Sequence, residues 1–336
     1  MNMIRMIALG TVMAFGAGQA WAEAQHLRFA TGQSPDSVIE KKSYGPWAEA
    51  LNEESKGALD VVAYPPPFAT TTNMWDRVTA GVADIGVVAL NNSGLPLKAA
   101  FVASLPGLGR DTEAASVAMW RLYEQGLLDA AFDEVEVLGF QTAIAFTLYS
   151  KTPITKMEDL KGLRVRVADA NSAAALGALG ASPASIPFNE AYQAIDRGVV
   201  DAAVGNGNTM VVFRFRELLN HEQTSVAFGM TNFAFVMNKD AYANLSPEGR
   251  ATIDGWRGER LSRYLGAHQN GFMEDFNSEM LAAGDLTQSE LEPAELVRWQ
   301  EAIAPVTAKW IADTPDGQKI YDTFVAEYDK VVAAKN

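Results

Sequence analysis

Short apolar strands and helical-period stretches alternate along most of this chain. LRFATG (27–32) predicts a strand ending in Gly. SPDSVIEKKSYGPWAEALNEESKG (34–57) opens on polar initiators and closes on Gly, with Gly45-Pro46 marking an internal break. ALDVVAYPPP (58–67) is a strand stopped by prolines, NMWDRVTAG (73–81) a short helix, and VADIGVVAL (82–90) a buried strand. DTEAASVAMWRLYEQG (111–126) is a helix with Asp111 at its N-cap, and the strands VEVLGF and IAFTLYS follow. Thr155 and Glu158 stand at capping-box spacing. Then come the strand GLRVRVA, a helix over 170–180 capped by Asn171 or Ser172, a strand around Ile186, the helix NEAYQAIDRG and the strand VVDAAV. This alternation predicts α/β architecture with largely parallel sheets. From Ser246 to about Gly284 the pattern is helical, with Pro247 at the first helical position, although Gly255, Gly258, Gly266 and Gly271 argue against one unbroken helix. Two or three further amphipathic helices are predicted from Pro293 to Val332.

One pattern occurs twice. NMWDRVTAGVADIGVV and NEAYQAIDRGVVDAAV both read helix, Gly, Val, any residue, Asp, apolar strand, and one offset relates Gly81 to Gly198 and Asp84 to Asp201. Two lobes built on one α/β plan would produce this echo. Each copy is followed by asparagines, Asn91 and Asn92 in the first and Asn206 and Asn208 in the second. Ligands of open α/β sheets bind beyond the carboxyl ends of strands, so two facing ends would form a cleft lined by amides.

The N-terminal segment changes the picture of where the chain works. MNMIRMIALGTVMAFGAGQAWA has one basic residue, a short apolar run and Ala20-Trp21-Ala22. It reads as a secretory signal peptide over 1–22, cleaved after Ala22, so the mature chain is expected to be exported. There is no cysteine, which removes disulfides, thiolate metal sites and cysteine nucleophiles. The net charge of −14 argues against nucleic acid and anionic membranes as partners. His26, His221 and His268 have no zinc spacing, there is no Gly-x-Ser-x-Gly elbow, and GNGN (205–208) lacks the residues of a phosphate loop. No pattern calls for a cofactor, a metal or a catalytic centre, so the expectation is a protein that is not an enzyme.

In this acidic chain, Arg164 and Arg166 share one face of a strand, while Leu163, Val165 and Val167 share the other. That face is either solvent or a cleft. Arg166 is nearer the carboxyl end, where the next helix begins and its free N–H groups also favour an anion. Guanidinium grips a carboxylate with two parallel hydrogen bonds.

GLRVRVADANSAAALGALGASPASIPFNEAYQAIDRGVVDAAVGN closely resembles the central region of the solute-binding proteins of TRAP (tripartite ATP-independent periplasmic) transporters. It has the Gly-Leu-basic-aliphatic-Arg-Val strand, Leu-Gly-Ala-Ser-Pro, Pro-Phe-x-Glu-x-Tyr and Gly-x-Val-Asp in order. LRFATGQSPDS, YPPP, WDRVTAGVADIG and FAFVMNKDAYANLSPEGR extend the resemblance over nearly the whole mature chain. It implies an α/β, two-lobe periplasmic-binding-protein fold with a hinge and a long C-terminal helix packing across both lobes. Lobe I would be 23–145 with 230–270, lobe II 146–229, and 246–336 the helical region bridging them. It also implies that Arg166 pins the ligand's carboxylate, that Phe188 packs on the ligand, and that Arg164 faces solvent. Asn206 or Asn208 takes the family's asparagine position, with Gln33, Asn91 and Asn92 as further candidates. The implied partners are a small organic anion and the integral-membrane TRAP subunits.

Two departures bear on the ligand. Where many members have a second arginine, the stretch GFQTAIAFTLYSKTPI places Ala145 or Phe146, and PPPFATTT replaces a glycine-rich turn. A second fixed cation is missing, so a monocarboxylate or a sulfonate is expected rather than a dicarboxylate. The competing readings are a ligand-sensing input for a signalling receptor, the binding protein of an ATP-driven transporter, and an exported enzyme on a related scaffold.

Overall fold

The computed structural model describes residues 24–167 and 169–335, apart from the side chains of Asn92, Phe188, Asn189 and Asn277. The signal-peptide reading of 1–22 lies outside the described residues. Eleven strands are seen there: β1 Gln25–Ala30, β2 Leu59–Tyr64, β3 Ile85–Ala89, β4 Glu136–Thr142, β5 Thr147–Ser150, β6 Arg164–Val167, β7 Ser182–Ser185, β8 Ala202–Gly205, β9 His221–Gln223, β10 Asn232–Met237 and β11 Thr287–Ser289. They form two sheets, ordered β2-β1-β3-β10-β4 and β11-β9-β5-β8-β6-β7, one in each lobe.

The expectation of largely parallel sheets holds for β2-β1-β3 and for β7-β6-β8. It fails at β10, which is antiparallel to both β3 and β4, and at β5, antiparallel to β8 and β9. The chain changes lobes after β4 and returns before β10, so each of these strands enters its sheet from the far end. The three-residue strands β9 and β11 are joined to β5 by a buried carboxylate. Glu222 accepts from Thr147 Oγ1 (2.7 Å) and Gln288 Nε2 (2.9 Å).

Both faces of each sheet are covered. In the first lobe, Phe29, Tyr44, Trp47 and Phe235 pack at ring separations of 5.1–6.3 Å on one face, while Val88, Trp120, Phe132 and Phe140 belong to the core of the other. In the second lobe, Val165 and Val167 join Leu148 and Val204 on one face, and Tyr149 and Ala203 face a separate core on the other.

The sequence echo is a structural repeat. Gly81 and Gly198 end their helices at φ +68° and +67°, a conformation that suits glycine. The Asp that follows in each copy clamps an arginine on the adjacent strand. Arg28 Nε and Nη2 donate to Asp84 at 2.8 Å each, and Arg164 Nε and Nη2 donate to Asp201 at 3.0 Å each. Arg164 is thus exposed and paired, as expected of a solvent-facing residue. The bond from Arg164 holds the Asp201 carboxyl below the usual carboxylate range. The pair's contribution is therefore full above about pH 4 and is lost as the pH falls further. An exposed pair contributes ~0.2–1 kcal/mol. Arg164→Ala is expected to lower stability by no more than ~1 kcal/mol in urea unfolding at pH 7 and to leave anion binding unchanged.

The helix ends follow local chemistry, with two corrections. Asp111 caps Thr112–Glu124 as predicted, and Pro247 opens Pro247–Trp256 as predicted, behind a Ser246 cap. At the 155–160 turn the capping carboxylate is Asp159, which accepts from the Thr155 and Lys156 N–H groups at 3.0 and 3.2 Å, while Glu158 pairs with Arg298. The helix Ala170–Ala178 is capped by Asp169 rather than Asn171 or Ser172. The C-terminal helical stretch breaks at Gly258. Beyond it, Glu259–Ala283 runs along Thr112–Glu124 and β4 and reaches the second lobe's Gly207–Val212 helix.

Candidate binding cleft

The chain crosses between the lobes at 143–146, and again between β9 and β10. The two crossings pair with each other. Ala143 N–H donates to the Thr231 carbonyl, Phe146 N–H to Gly229 and Phe228 N–H to Phe146, each at 2.8 Å. The first lobe grips this hinge through Ser104, whose hydroxyl donates to the Met230 carbonyl (2.8 Å), and through Asn232, whose amide donates to Ser104 Oγ (2.8 Å).

A cavity of about 300 Å³ opens beside the crossings. Its walls come from four places: Asn91 beyond β3, Phe101 and Ser104 from the 99–104 turn, Phe146, Gly229 and Met230 from the hinge, and Asp169, Ala170 and Asn171 beyond β6. Two rings and a thioether supply apolar wall, and two amides, a hydroxyl and a carboxylate supply polar edges. The volume is at the small end for ligand pockets.

Arg166 lies in β6 between β7 and β8, where its register partners are Ala184 and Ala203. These small neighbours leave room for a guanidinium on that face. The residue is 1% exposed, which excludes the wet-edge reading. Nε donates to the Ile186 carbonyl (2.7 Å) and Nη1 to Val204 (3.3 Å). Burial pulls its pKa down to about 10, with Asp169 opposing the shift, so it remains a cation at neutral pH. Burying a guanidinium is unfavourable, and the cost falls when an anion approaches.

The other candidates fall in different places. Asn206 is buried and caps Gly207–Val212. Its Oδ1 accepts from the Thr209 N–H (3.1 Å), while Nδ2 donates to the hinge carbonyl of Ile144 (3.2 Å). Asn208, two residues on, is exposed. Gln33 is half-buried in the loop after β1, its N–H on Thr31 Oγ1. Asn91 is exposed and borders the cavity. The side chains of Phe188 and Asn92 lie outside the described residues.

Of the described cavity residues, Asn91 alone was among the candidates; Ala170, Gly229, Phe101, Ser104, Phe146, Asp169, Asn171 and Met230 were not. A signal existed for Phe146, since it or Ala145 occupies the place of the missing arginine. The structure separates the two: Ala145 is buried in the first lobe's core, and Phe146 borders the cavity. The expected anion-attracting helix start is also altered. Asp169 takes the Ser172 N–H (2.8 Å) and the Ser172 hydroxyl (2.5 Å), which leaves a carboxylate at that end of the cavity.

The chain matches the family model for bacterial extracellular solute-binding proteins, family 7, over residues 29–313. It is 25% identical to the C4-dicarboxylate-binding periplasmic protein DctP of Rhodobacter capsulatus over 303 residues, covering 85% of this chain and 86% of that one. Among solved structures, it resembles a TRAP solute-binding protein from Rhodoferax ferrireducens in complex with copurified benzoate. The TM-score is 0.79 at 25% identity, over 93% of this chain and 99% of that one. It resembles equally a marine-metagenome TRAP solute-binding protein specific for aromatic acid ligands, in complex with metahydroxyphenylacetate. That comparison gives a TM-score of 0.79 at 25% identity, over 91% and 99%.

Proposed function

The chain belongs to the family 7 bacterial extracellular solute-binding proteins, and from that premise we propose that its ligand is a small aromatic monoanion, a monocarboxylate or a sulfonate. As a TRAP-type solute-binding protein it binds a small organic ligand in the periplasm and works with membrane TRAP subunits. The anionic group docks on Arg166, the body lies against Phe146, Phe101 and Met230, and Phe188 supplies a further wall. Asn206 keeps β8 and the hinge in register. Asn91 and Asn171 offer amides to a ring substituent. Closure of the lobes removes water and strengthens the charge-assisted bond. Cleavage after Ala22 releases the mature chain, and ion-gradient coupling belongs to its cognate membrane subunits.

The observation that carries the ligand class is Phe146, an apolar ring on the cavity wall, in the stretch where the family resemblance puts Ala145 or Phe146 in place of a second arginine. The benzoate and metahydroxyphenylacetate complexes of the structural relatives point the same way. The C4-dicarboxylate named for the Rhodobacter capsulatus relative is the competing ligand class.

The test is a thermal-shift panel on mature protein, unfolded and refolded to remove carried-over ligand. Benzoate, 3-hydroxybenzoate, phenylacetate and benzenesulfonate are set against succinate and fumarate. A micromolar ligand at millimolar concentration adds ~4 kcal/mol and raises Tm by several degrees. Shifts confined to the aromatic monoanions are the expected result. A shift confined to the C4 dicarboxylates would overturn the proposed ligand class.

A further inference from the structure

The cavity wall carries a negative charge that the docking of an anion does not require. Asp169 borders the cavity beside Ala170 and Asn171, three residues after Arg166 on the same strand-to-helix connection. Its carboxylate is held in place by capping the Ala170–Ala178 helix, through the Ser172 N–H at 2.8 Å and the Ser172 hydroxyl at 2.5 Å. The same hydroxyl also lies 2.8 Å from the Phe228 carbonyl of the hinge, and its one proton can serve either acceptor. Capping alone does not demand a charge, since Asn and Ser cap helices about as well as Asp.

Resting on the reading of Arg166 as the anion's dock, the geometry points to Asp169 as the residue that excludes dianions from this cleft. A ligand's first carboxylate meets Arg166. A second carboxylate, extending into the cavity, meets the apolar rings of Phe101 and Phe146 and approaches the fixed charge of Asp169. Like charges brought together in a partly desolvated cavity repel far more strongly than in water, and such juxtaposition is a recognised source of specificity. The neutral amides of Asn91 and Asn171 leave room there for hydroxyl and carbonyl substituents. The cleft therefore selects on charge count by a repulsive contact, in addition to lacking a second arginine. Asp169 also acts on Arg166 itself, favouring its charged form. Neutralising Asp169 consequently strengthens the dock for every anion by a common factor, and the second carboxylate gains beyond that.

The experiment uses the mature protein and its Asp169→Asn variant, with dissociation constants measured by calorimetry for benzoate, phthalate, isophthalate and terephthalate. The quantity read is the ratio of dicarboxylate to benzoate Kd. It cancels the common factor and any loss from a weakened cap, because a purely structural role moves both ligands together. In the wild type, benzoate is expected to bind at least tenfold more tightly than any of the three diacids. In Asp169→Asn the ratio is expected to fall at least tenfold for one or more isomers, and Asp169→Ser, a shorter neutral cap, should repeat the fall. A wild type that prefers benzoate, with ratios unchanged in both variants, overturns the assignment to Asp169 and leaves the ligand class standing. A wild type that prefers a diacid overturns both.

Discussion

The Arg166→Ala variant is expected to lose at least ~2 kcal/mol of affinity for its best monoanion, about 30-fold in Kd, as when one member of a buried charge pair is removed. The argument starts from desolvation. Arg166 is 1% exposed in the middle of a sheet, where carbonyls of Ile186 and Val204 receive its donors. Burial pulls its pKa down to about 10, so holding the charged form inside the sheet has a cost that an anion offsets. An arriving carboxylate stabilises the buried cation. Arg166→Lys keeps the charge but not the planar fork, so it should also bind weakly. Arg164→Ala is the internal control, because that arginine is committed to Asp201 at the surface. Calorimetry on all three variants, with urea unfolding to confirm the fold, checks the prediction. A loss under tenfold in Arg166→Ala would remove this residue from the central role.

How far the two arginines could be told apart shows what the sequence carries. Strand periodicity puts Arg164 and Arg166 on one face and cannot say which of them is covered. The structure separates them by their surroundings: Asp201, from the repeated Gly-Val-x-Asp turn, reaches Arg164, and small residues at 184 and 203 make a slot for Arg166. The repeat was legible because it is local, with helix, positive-φ glycine and aspartate in fixed order. The cap at Asp111 and the helix start at Pro247 were legible for the same reason. Asp169 was overlooked in favour of its neighbours because Asn and Ser are equally good caps. Most of the cavity wall was not legible at all. Phe101, Ser104 and Met230 are scattered along the chain, and apolar residues there look like any core position until the crossings bring them together. The antiparallel insertion of β10 was hidden likewise, since apolar pattern gives a strand but not its direction.

The hinge supplies the second large effect. Gly229→Val is expected to cost about 3 kcal/mol of folding stability, from ~1–3 kcal/mol of backbone strain and ~1–3 kcal/mol of overpacking. Gly229 has φ +124°, a region closed to β-branched residues, and a Cβ there would lie 2.9 Å from the Ser104 carbonyl oxygen. Ser104 cannot easily yield, because its hydroxyl is bonded to Met230 and receives the Asn232 amide. The Gly229 carbonyl is itself fixed by the Phe146 N–H. Strain at this point therefore passes into both crossing segments and into the cavity wall that Gly229, Met230 and Phe146 share. Gly177→Ala is the contrasting variant: Gly177 is exposed within Ala170–Ala178, with open space where a Cβ would go, so that change should be neutral or stabilising by up to ~1 kcal/mol. Urea midpoints for the two variants, followed by benzoate affinity for each, separate stability from binding. A lowered midpoint with weakened binding in Gly229→Val means that the crossing sets the cavity's shape. A lowered midpoint with wild-type affinity means that ligand closure draws the strained crossing back into place, and a wild-type midpoint would show that the hinge repacks without resistance.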